Sequence, residues 1–307
     1  MCHNALSQSS RVYPRVKVKM KTESMLIPPD IQLENIQLEQ NIIFNTNIAR
    51  PLTLHLIRPK VLPQAKLPVL IWIFGGAFRM GNKESGLEPL LPFVQRGYAC
   101  AAIEYRYSSE ALFPAQVQDC KCAIRFLRAK SETYHLDLHR FGVWGPSAGG
   151  YLSTMMGVTS GATEFEGTGG YSETSIQVQA VCDWVVTSDF LQMNKAGSIQ
   201  DHDAADSPES ELVGGPIQEN KDLVHHTNPM TYITQERIIP PFLIVHGDLD
   251  PLVPFNQSEL LVAALQNIEA DVTFQRVTGA GHGGEAFESE EILGLVHSFF
   301  DKHLIIQ

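Results

Sequence analysis

An α/β domain built on a mostly parallel sheet is the fold class that this 307-residue sequence predicts. Three observations carry it. From about Ile42 onward, short apolar runs alternate with amphipathic stretches, the pattern of strand–helix–strand units. Several runs are apolar throughout, as in Val69-Leu70-Ile71-Trp72-Ile73-Phe74, which suits strands covered on both faces. One run leads into Gly145-Pro146-Ser147-Ala148-Gly149, whose small flanking residues suit a tight turn from strand to helix.

Residues 1–28 are polar and irregular up to Pro28-Pro29 and read as an N-terminal tail, which leaves 29–307 for the domain. Candidate strands are Leu52–Arg58, Val69–Phe74, Ala99–Glu104, Phe141–Trp144, Val178–Trp184, Phe242–His246 and Val272–Val277. Pro114 suits a first helical position, and Val117, Cys120, Ile124 and Leu127 then recur at helical spacing. A helix is expected from near Ser147 and another over Asn256–Gln266. A last helix, Ser289–His303, carries Ile292, Leu293, Val296, Phe299 and Phe300 on one stripe. Residues 159–176, rich in Gly, Ser, Thr and Glu, read as a mobile loop. Residues 185–232 are long and acidic between two strands. They exceed a simple connection and read as an inserted, partly helical lid or cap.

Composition narrows the function. A formal charge of −11 argues against nucleic acid as a partner, because phosphate binding needs an excess of Lys and Arg. The basic stretch Arg11, Arg15, Lys17, Lys19, Lys21 reads as a solvated tail. The longest apolar run, Pro68–Phe78, is broken by Gly75-Gly76 and is too short to span a bilayer. No apolar leader follows the first charges, so no signal peptide is expected. Cys2, Cys100, Cys120, Cys122 and Cys182 are an odd, sparse set that reads as buried thiols in a reducing cytoplasm rather than a disulfide framework. Cys120 and Cys122, two apart on a helix, make a poor metal pair.

The elbow sequence makes Ser147 a candidate nucleophile, held above the carboxyl edge of the sheet at a helix N-terminus. A serine hydroxyl needs a base. Of eleven histidines, His282 in Ala280-Gly281-His282-Gly283-Gly284 stands in a loop between the last strand and the last helix. His297 and His303 read as helix residues, His246 as a structural hydrogen-bonder, and His225-His226 and Asp201-His202-Asp203 as solvated loop residues. The imidazole needs a carboxylate to fix its tautomer. Asp248 and Asp250 compete, and Asp250 is preferred because it lies further into the turn; Asp183 is a third choice. The oxyanion of acyl transfer needs backbone donors. Ala148, after the nucleophile, and Gly76 and Ala77, in Phe74-Gly75-Gly76-Ala77-Phe78, are the candidates.

With these residues in view, the chain from about 50 to 303 resembles the α/β-hydrolases of the hormone-sensitive-lipase-like or feruloyl/acetyl-esterase-like group of carboxylesterases. The likeness lies in the Gly-Gly-Ala-Phe loop, Glu104-Tyr105-Arg106-Tyr107, and Phe113-Pro114-Ala115-Gln116 with Asp119 and Ala123-Ile124-Arg125. It continues in Gly-Pro-Ser-Ala-Gly-Gly and in His246-Gly247-Asp248-Leu249-Asp250-Pro251-Leu252-Val253-Pro254. Ser207-Pro208-Glu209-Ser210 to Gly214-Gly215-Pro216 resembles an insertion of feruloyl and acetyl xylan esterase relatives. The resemblance implies an α/β-hydrolase fold and the chain order nucleophile, acid, base for Ser147, Asp250 and His282. It implies hydrolysis of a small-molecule ester with no metal and no cofactor. Phe74 stands where the family's oxyanion loop usually opens with His, and Ala77 stands for its third glycine. The strand ending Asp183-Trp184 lacks a glycine often found there. Phe78, Phe113 and Trp184 are expected in the pocket wall, which favours short acyl groups, and acetylated or feruloylated carbohydrates are among the substrates considered. The alternatives are a serine peptidase of the same fold and an inactive binding member, although all three triad residue types are present. A two-fold homodimer is the default assembly.

Overall fold

The computed structural model describes residues 32–305. The tail 1–28, with Cys2 and the basic stretch from Arg11 to Lys21, lies outside the described residues. The elements, in chain order, are β1 Ile36–Asn45, β2 Leu52–Pro59, β3 Leu67–Ile73, α1 Leu87–Gln95, β4 Ala99–Ile103, α2 Ala115–Ala129, α3 Ser131–Tyr134 and β5 Leu136–Pro146. There follow α4 Ala148–Val158, β6 Ala180–Trp184, α5 Pro208–Val213, α6 Lys221–Thr227, β7 Phe242–Gly247, α7 Asn256–Asn267, β8 Val272–Val277 and α8 Glu290–Leu304.

The strands form one eight-stranded sheet in the order β1-β2-β4-β3-β5-β6-β7-β8. The β1–β2 and β2–β4 pairs are antiparallel and all the others parallel. This is the α/β-hydrolase fold. β3, β4, β6 and β7 are buried along their whole length, as the unbroken apolar runs require of strands sandwiched between helix layers. At the centre, Trp72 on β3 meets Trp144 on β5 edge to face, with centroids 4.9 Å apart.

The strand order sets the location of the site. From β3 the chain crosses to β4 on one side, then returns to β5 on the other. The carboxyl ends of β3 and β5 therefore flank a switch point, where an open α/β sheet leaves a crevice. The Gly-Gly loop leaves β3 there and Ser147 leaves β5 there, in the register set by Trp72 opposite Trp144.

β1 and α1 are among the elements that were not expected. β1 runs along the sheet edge with mixed exposure and a register shift between Glu39 and Ile42, where Asn41 takes a positive φ of 55°. That irregularity breaks the period-two pattern. α1 contains Pro92, a residue that weakens a helical reading. The segment expected to be a mobile loop, 159–176, is tethered to α2. Glu166 accepts from buried Lys121 at 2.9 Å and from buried Arg125 at 2.7 Å, and Cys122 Sγ donates to Gly169 O at 2.9 Å. Burial pushes the Lys121 ammonium down, against the pull of Glu166. Cys100, Cys120, Cys122 and Cys182 are buried free thiols, and burial holds them above the ordinary thiol range.

Removing the carboxylate that two buried cations share leaves both without their acidic partner. Glu166→Ala is expected to lower stability by about 2–3 kcal/mol, read as a fall in the urea unfolding midpoint with an unchanged slope.

Candidate active site

Ser147 occupies the turn between β5 and α4. Its φ of 54° falls in the left-handed region, a strain of roughly 1–3 kcal/mol for a residue with a side chain. Backbone contacts impose it: the Ser147 N–H donates to Trp184 O at 2.7 Å, and its carbonyl accepts from Tyr151 N at 2.9 Å. The turn also closes directly onto β3. A Cβ at Gly145 would stand 2.3 Å from Ile73 O, and one at Gly149 1.9 Å from the same atom. Only glycine allows this approach, and it leaves Ser147 half-buried at the sheet edge, in the wall of a cavity.

His282 Nε2 lies 3.0 Å from Ser147 Oγ, and His282 Nδ1 lies 2.6 Å from Asp250 Oδ2. A carboxylate only accepts, so Nδ1 carries the hydrogen and Nε2 is left to accept from the serine hydroxyl. The Asp250 side chain is buried. Its Oδ1 accepts from Leu252 N at 2.9 Å and Val253 N at 3.0 Å, and His246 Nε2 lies 3.2 Å from its Oδ2. Burial alone would raise this carboxyl. The hydrogen bonds from His246 and His282 outweigh it and hold the group well below the usual carboxylate range. His246 is in turn fixed by Ser258 Oγ at 2.6 Å and Val253 O at 3.0 Å.

The competing acids have other partners. Asp248 Oδ1 accepts from Gly279 N at 2.7 Å, tying the loop after β7 to the loop after β8. Asp183 is buried against Thr154 on α4 at 2.9 Å, and burial pushes its carboxyl well above the usual range. His225 and His226 are exposed on α6, while His297 and His303 pack on Phe93 and Phe299.

Ala77, Phe78, Ser147, Ala148 and His282 share the wall of a cavity of ≈ 70 Å³. Ala77 and Phe78 both have positive φ, 54° and 60°, and the Phe78 ring sits edge-on to Tyr151. Gly76 is not part of that wall; its carbonyl accepts from Arg79 N at 3.0 Å and Met80 N at 3.1 Å and closes the loop. Phe74, in place of the family's usual His, stacks on Tyr105 at 4.3 Å, and Tyr105 OH donates to Phe74 O at 3.0 Å.

Two residues expected in the pocket wall lie elsewhere. Phe113 packs against Phe165. Trp184 is wedged between Trp144 and Phe287, because the chain presents its carbonyl, not its ring, to the elbow. The facing wall comes instead from the 185–232 insertion, through Thr187, Gln200, His202, Pro208 and Glu209, and from Leu252 and Val253.

His202 corrects the reading of Asp201-His202-Asp203 as solvated. Asp201 is exposed, but His202 is buried. Its Nδ1 lies 3.0 Å from Glu209 Oε2, and its Nε2 lies 3.0 Å from Leu252 O. Both nitrogens lie beside acceptors, and Nε2 also lies 2.9 Å from Ser198 Oγ, an arrangement that favours the doubly protonated ring. Burial opposes that charge, but the bond to Glu209 overrides it and raises His202 above its ordinary pKa. On the other side of the insertion, Arg79 Nε pairs with Glu211 at 2.7 Å and the Arg79 guanidinium donates to Asp206 O.

A larger groove of ≈ 590 Å³, beside Ser160, Thr231, Glu236 and Arg237, contains none of these residues. No group of three His, Cys, Asp or Glu among the described residues is arranged to hold a metal ion. None of the described helices is long and apolar enough to cross a membrane.

The family model described as BD-FAE matches residues 54–265. The chain belongs to the BD-FAE family. The matched span includes the oxyanion-loop candidates, Ser147, the insertion and Asp250, and stops short of His282. This BD-FAE member is similar to esterase LipC of Mycobacterium tuberculosis, 28% identical over 233 residues that cover 74% of this chain and 55% of LipC. The chain spans about half the length of the curated relatives it matches. Among solved structures it is similar to a truncated carbohydrate esterase from gut microbiota, with a TM-score of 0.77 and 30% identity over 87% of this chain and 95% of that one. Esterase B of Lactobacillus rhamnosis shares the fold, with a TM-score of 0.72 at 21% identity over 88% of this chain and 86% of that one.

The buried His202–Glu209 pair has a signed pH signature. A histidine whose folded pKa is raised contributes stability that is complete below its unfolded pKa of about 6.5 and is lost as pH rises through the folded value. Urea midpoints of the parent are expected to fall between pH 6 and pH 9, and Glu209→Gln is expected to flatten that fall.

Proposed function

We propose that this chain is a serine carboxylesterase that cleaves short-chain acyl esters through an acyl-enzyme. The observation that carries the reading is the hydrogen-bonded chain Ser147–His282–Asp250 opening onto a cavity of ≈ 70 Å³. That volume is about two waters' worth of space, enough for an acetyl-sized group. The esterases among its relatives and structural neighbours support the same reading.

In this mechanism Ser147 Oγ attacks the ester carbonyl while His282 Nε2 takes its proton. Asp250, ionised and buried, keeps the imidazole in the required tautomer and stabilises the imidazolium. The negative charge on the carbonyl oxygen develops beside the N–H groups of Ala77 and Ala148, with Gly76 completing the loop. The Ala148 N–H belongs to the first turn of α4, where helical N–H groups lack intrahelical partners. His282 then protonates the departing alcohol and activates the water that releases the acid. The 185–232 insertion acts as a cover over the nucleophile, pinned by Arg79 and His202.

The reading is tested on p-nitrophenyl esters of increasing chain length. Acetate and butyrate are expected to be cleaved faster than octanoate or longer esters, and an organophosphonate probe is expected to label Ser147. Ser147→Ala is expected to lower kcat by about 10⁴-fold or more, and Asp250→Asn by about 10³–10⁴-fold. Folded protein that neither cleaves these esters nor takes the label would refute the assignment and leave the binding-protein reading.

A further inference from the structure

Asp250 is met by a second histidine that the chemistry above does not use. His246 belongs to β7, is fully buried and does not line the cavity. Its ring has a defined orientation. Nε2 lies 3.0 Å from Val253 O and 3.2 Å from Asp250 Oδ2. A carbonyl and a carboxylate only accept, so Nε2 carries a hydrogen. On the far side, Nδ1 lies 2.6 Å from the hydroxyl of buried Ser258 on α7. A hydroxyl can donate there, which suits the tautomer with its hydrogen on Nε2. Phe255 packs against the ring edge to face, with centroids 5.5 Å apart.

The two oxygens of Asp250 divide their partners. Oδ1 takes the backbone N–H groups of Leu252 and Val253. Oδ2 faces both imidazoles, His282 Nδ1 at 2.6 Å and His246 Nε2 at 3.2 Å. His246 also acts through Val253, whose carbonyl it meets and whose N–H donates to Oδ1. A carboxylate whose charge is shared among several donors is less basic toward each of them. Asp250 is therefore a weaker partner for an imidazolium than it would be facing His282 alone. That matters to the reaction, because His282 must be unprotonated to take the serine proton and must then release it to the alcohol.

We propose that His246, held by Ser258, is a positioning residue for ester hydrolysis: it fixes the Asp250 carboxylate and tempers its hold on the His282 imidazolium, so that the base is free at lower pH than Asp250 and His282 alone would allow. This inference rests on the esterase reading. Other ionisable groups stand nearby. His202 and Glu209, from the insertion, line the cavity with His282. Asp248 is bonded to Gly279 N. Arg276 is paired with His246 across β7 and β8, and its guanidinium lies over the Phe255 ring at 4.6 Å. All of these are kept in the variants below, so they enter every pH profile alike.

The test is the pH profile of kcat/KM on p-nitrophenyl acetate. In His246→Leu the limb that rises with pH is expected to move up by about half to one pH unit, because Oδ2 then answers to His282 alone. The plateau kcat is expected to fall by about 10-fold, with KM little changed. His246→Gln keeps an N–H donor on a side chain of similar reach, and its limb is expected to lie close to the parent's. Ser258→Ala leaves the ring in place without its hydroxyl partner; a smaller upward displacement is expected, and this variant serves if His246→Leu does not fold. A part that is only structural would lower the rate alike at every pH. An unmoved limb in His246→Leu or Ser258→Ala, or a limb in His246→Gln displaced as far as in His246→Leu, overturns the role of His246 while the esterase assignment stands. A folded parent that neither cleaves the ester nor takes the organophosphonate label overturns both.

Discussion

The site is organised around one buried carboxylate. Asp250 closes its own loop by accepting from Leu252 N and Val253 N, takes His246 from the strand below, and takes His282 from the loop after the neighbouring strand. Leu252 N, Val253 N and His282 Nδ1 have no other acceptor among the described residues, and Asp250 would be an unpaired buried charge without its donors. The dependence is mutual. The loops after β7 and β8 are therefore fixed relative to each other by charge as well as by the Asp248–Gly279 bond, and the imidazole reaches Ser147 with its tautomer already set.

The sheet supplies the other half of the arrangement. The close approach of Gly145 and Gly149 to Ile73 O joins the turn of Ser147 to the strand that leads into the Gly-Gly loop. Around that rigid edge, the insertion adds a wall held by side chains from opposite directions: Arg79 from the loop after β3, and His202 with Ser198 against the loop of Asp250. The pocket is thus shaped by contacts between segments remote in the chain, which is why its size follows from the tertiary structure rather than from any local motif.

Much of the fold, and the three side chains that meet in the hydrogen-bonded chain Ser147–His282–Asp250, was legible in the sequence, for physical reasons. The buried strands are read from unbroken apolar runs, and the elbow from glycines that no other residue can replace. Asp250 and His282 stand in loops with few other roles open to them. What was not legible depended on long-range packing. Phe113 and Trp184 are large and apolar near the site in sequence, but they face Phe165 and Phe287. His202 stands between two aspartates that read as solvated, and only the route of the insertion buries it against Glu209. The one local clue was Ser207, whose hydroxyl accepts from Ser210 N at 3.0 Å; it caps α5 and so fixes Glu209 in its first turn. β1 was hidden by its bulge at Asn41.

The anchoring of the insertion also orders events as the chain emerges from the ribosome. Arg79 precedes the insertion by more than a hundred residues, whereas the carbonyl that receives His202 belongs to Leu252, fifty residues later. The wall over Ser147 has only one of its two moorings until the loop beyond β7 has been synthesised, and His282 follows later still. Ser147 is made long before Asp250 and His282, so a nascent chain holds it without either neighbour until both have been synthesised.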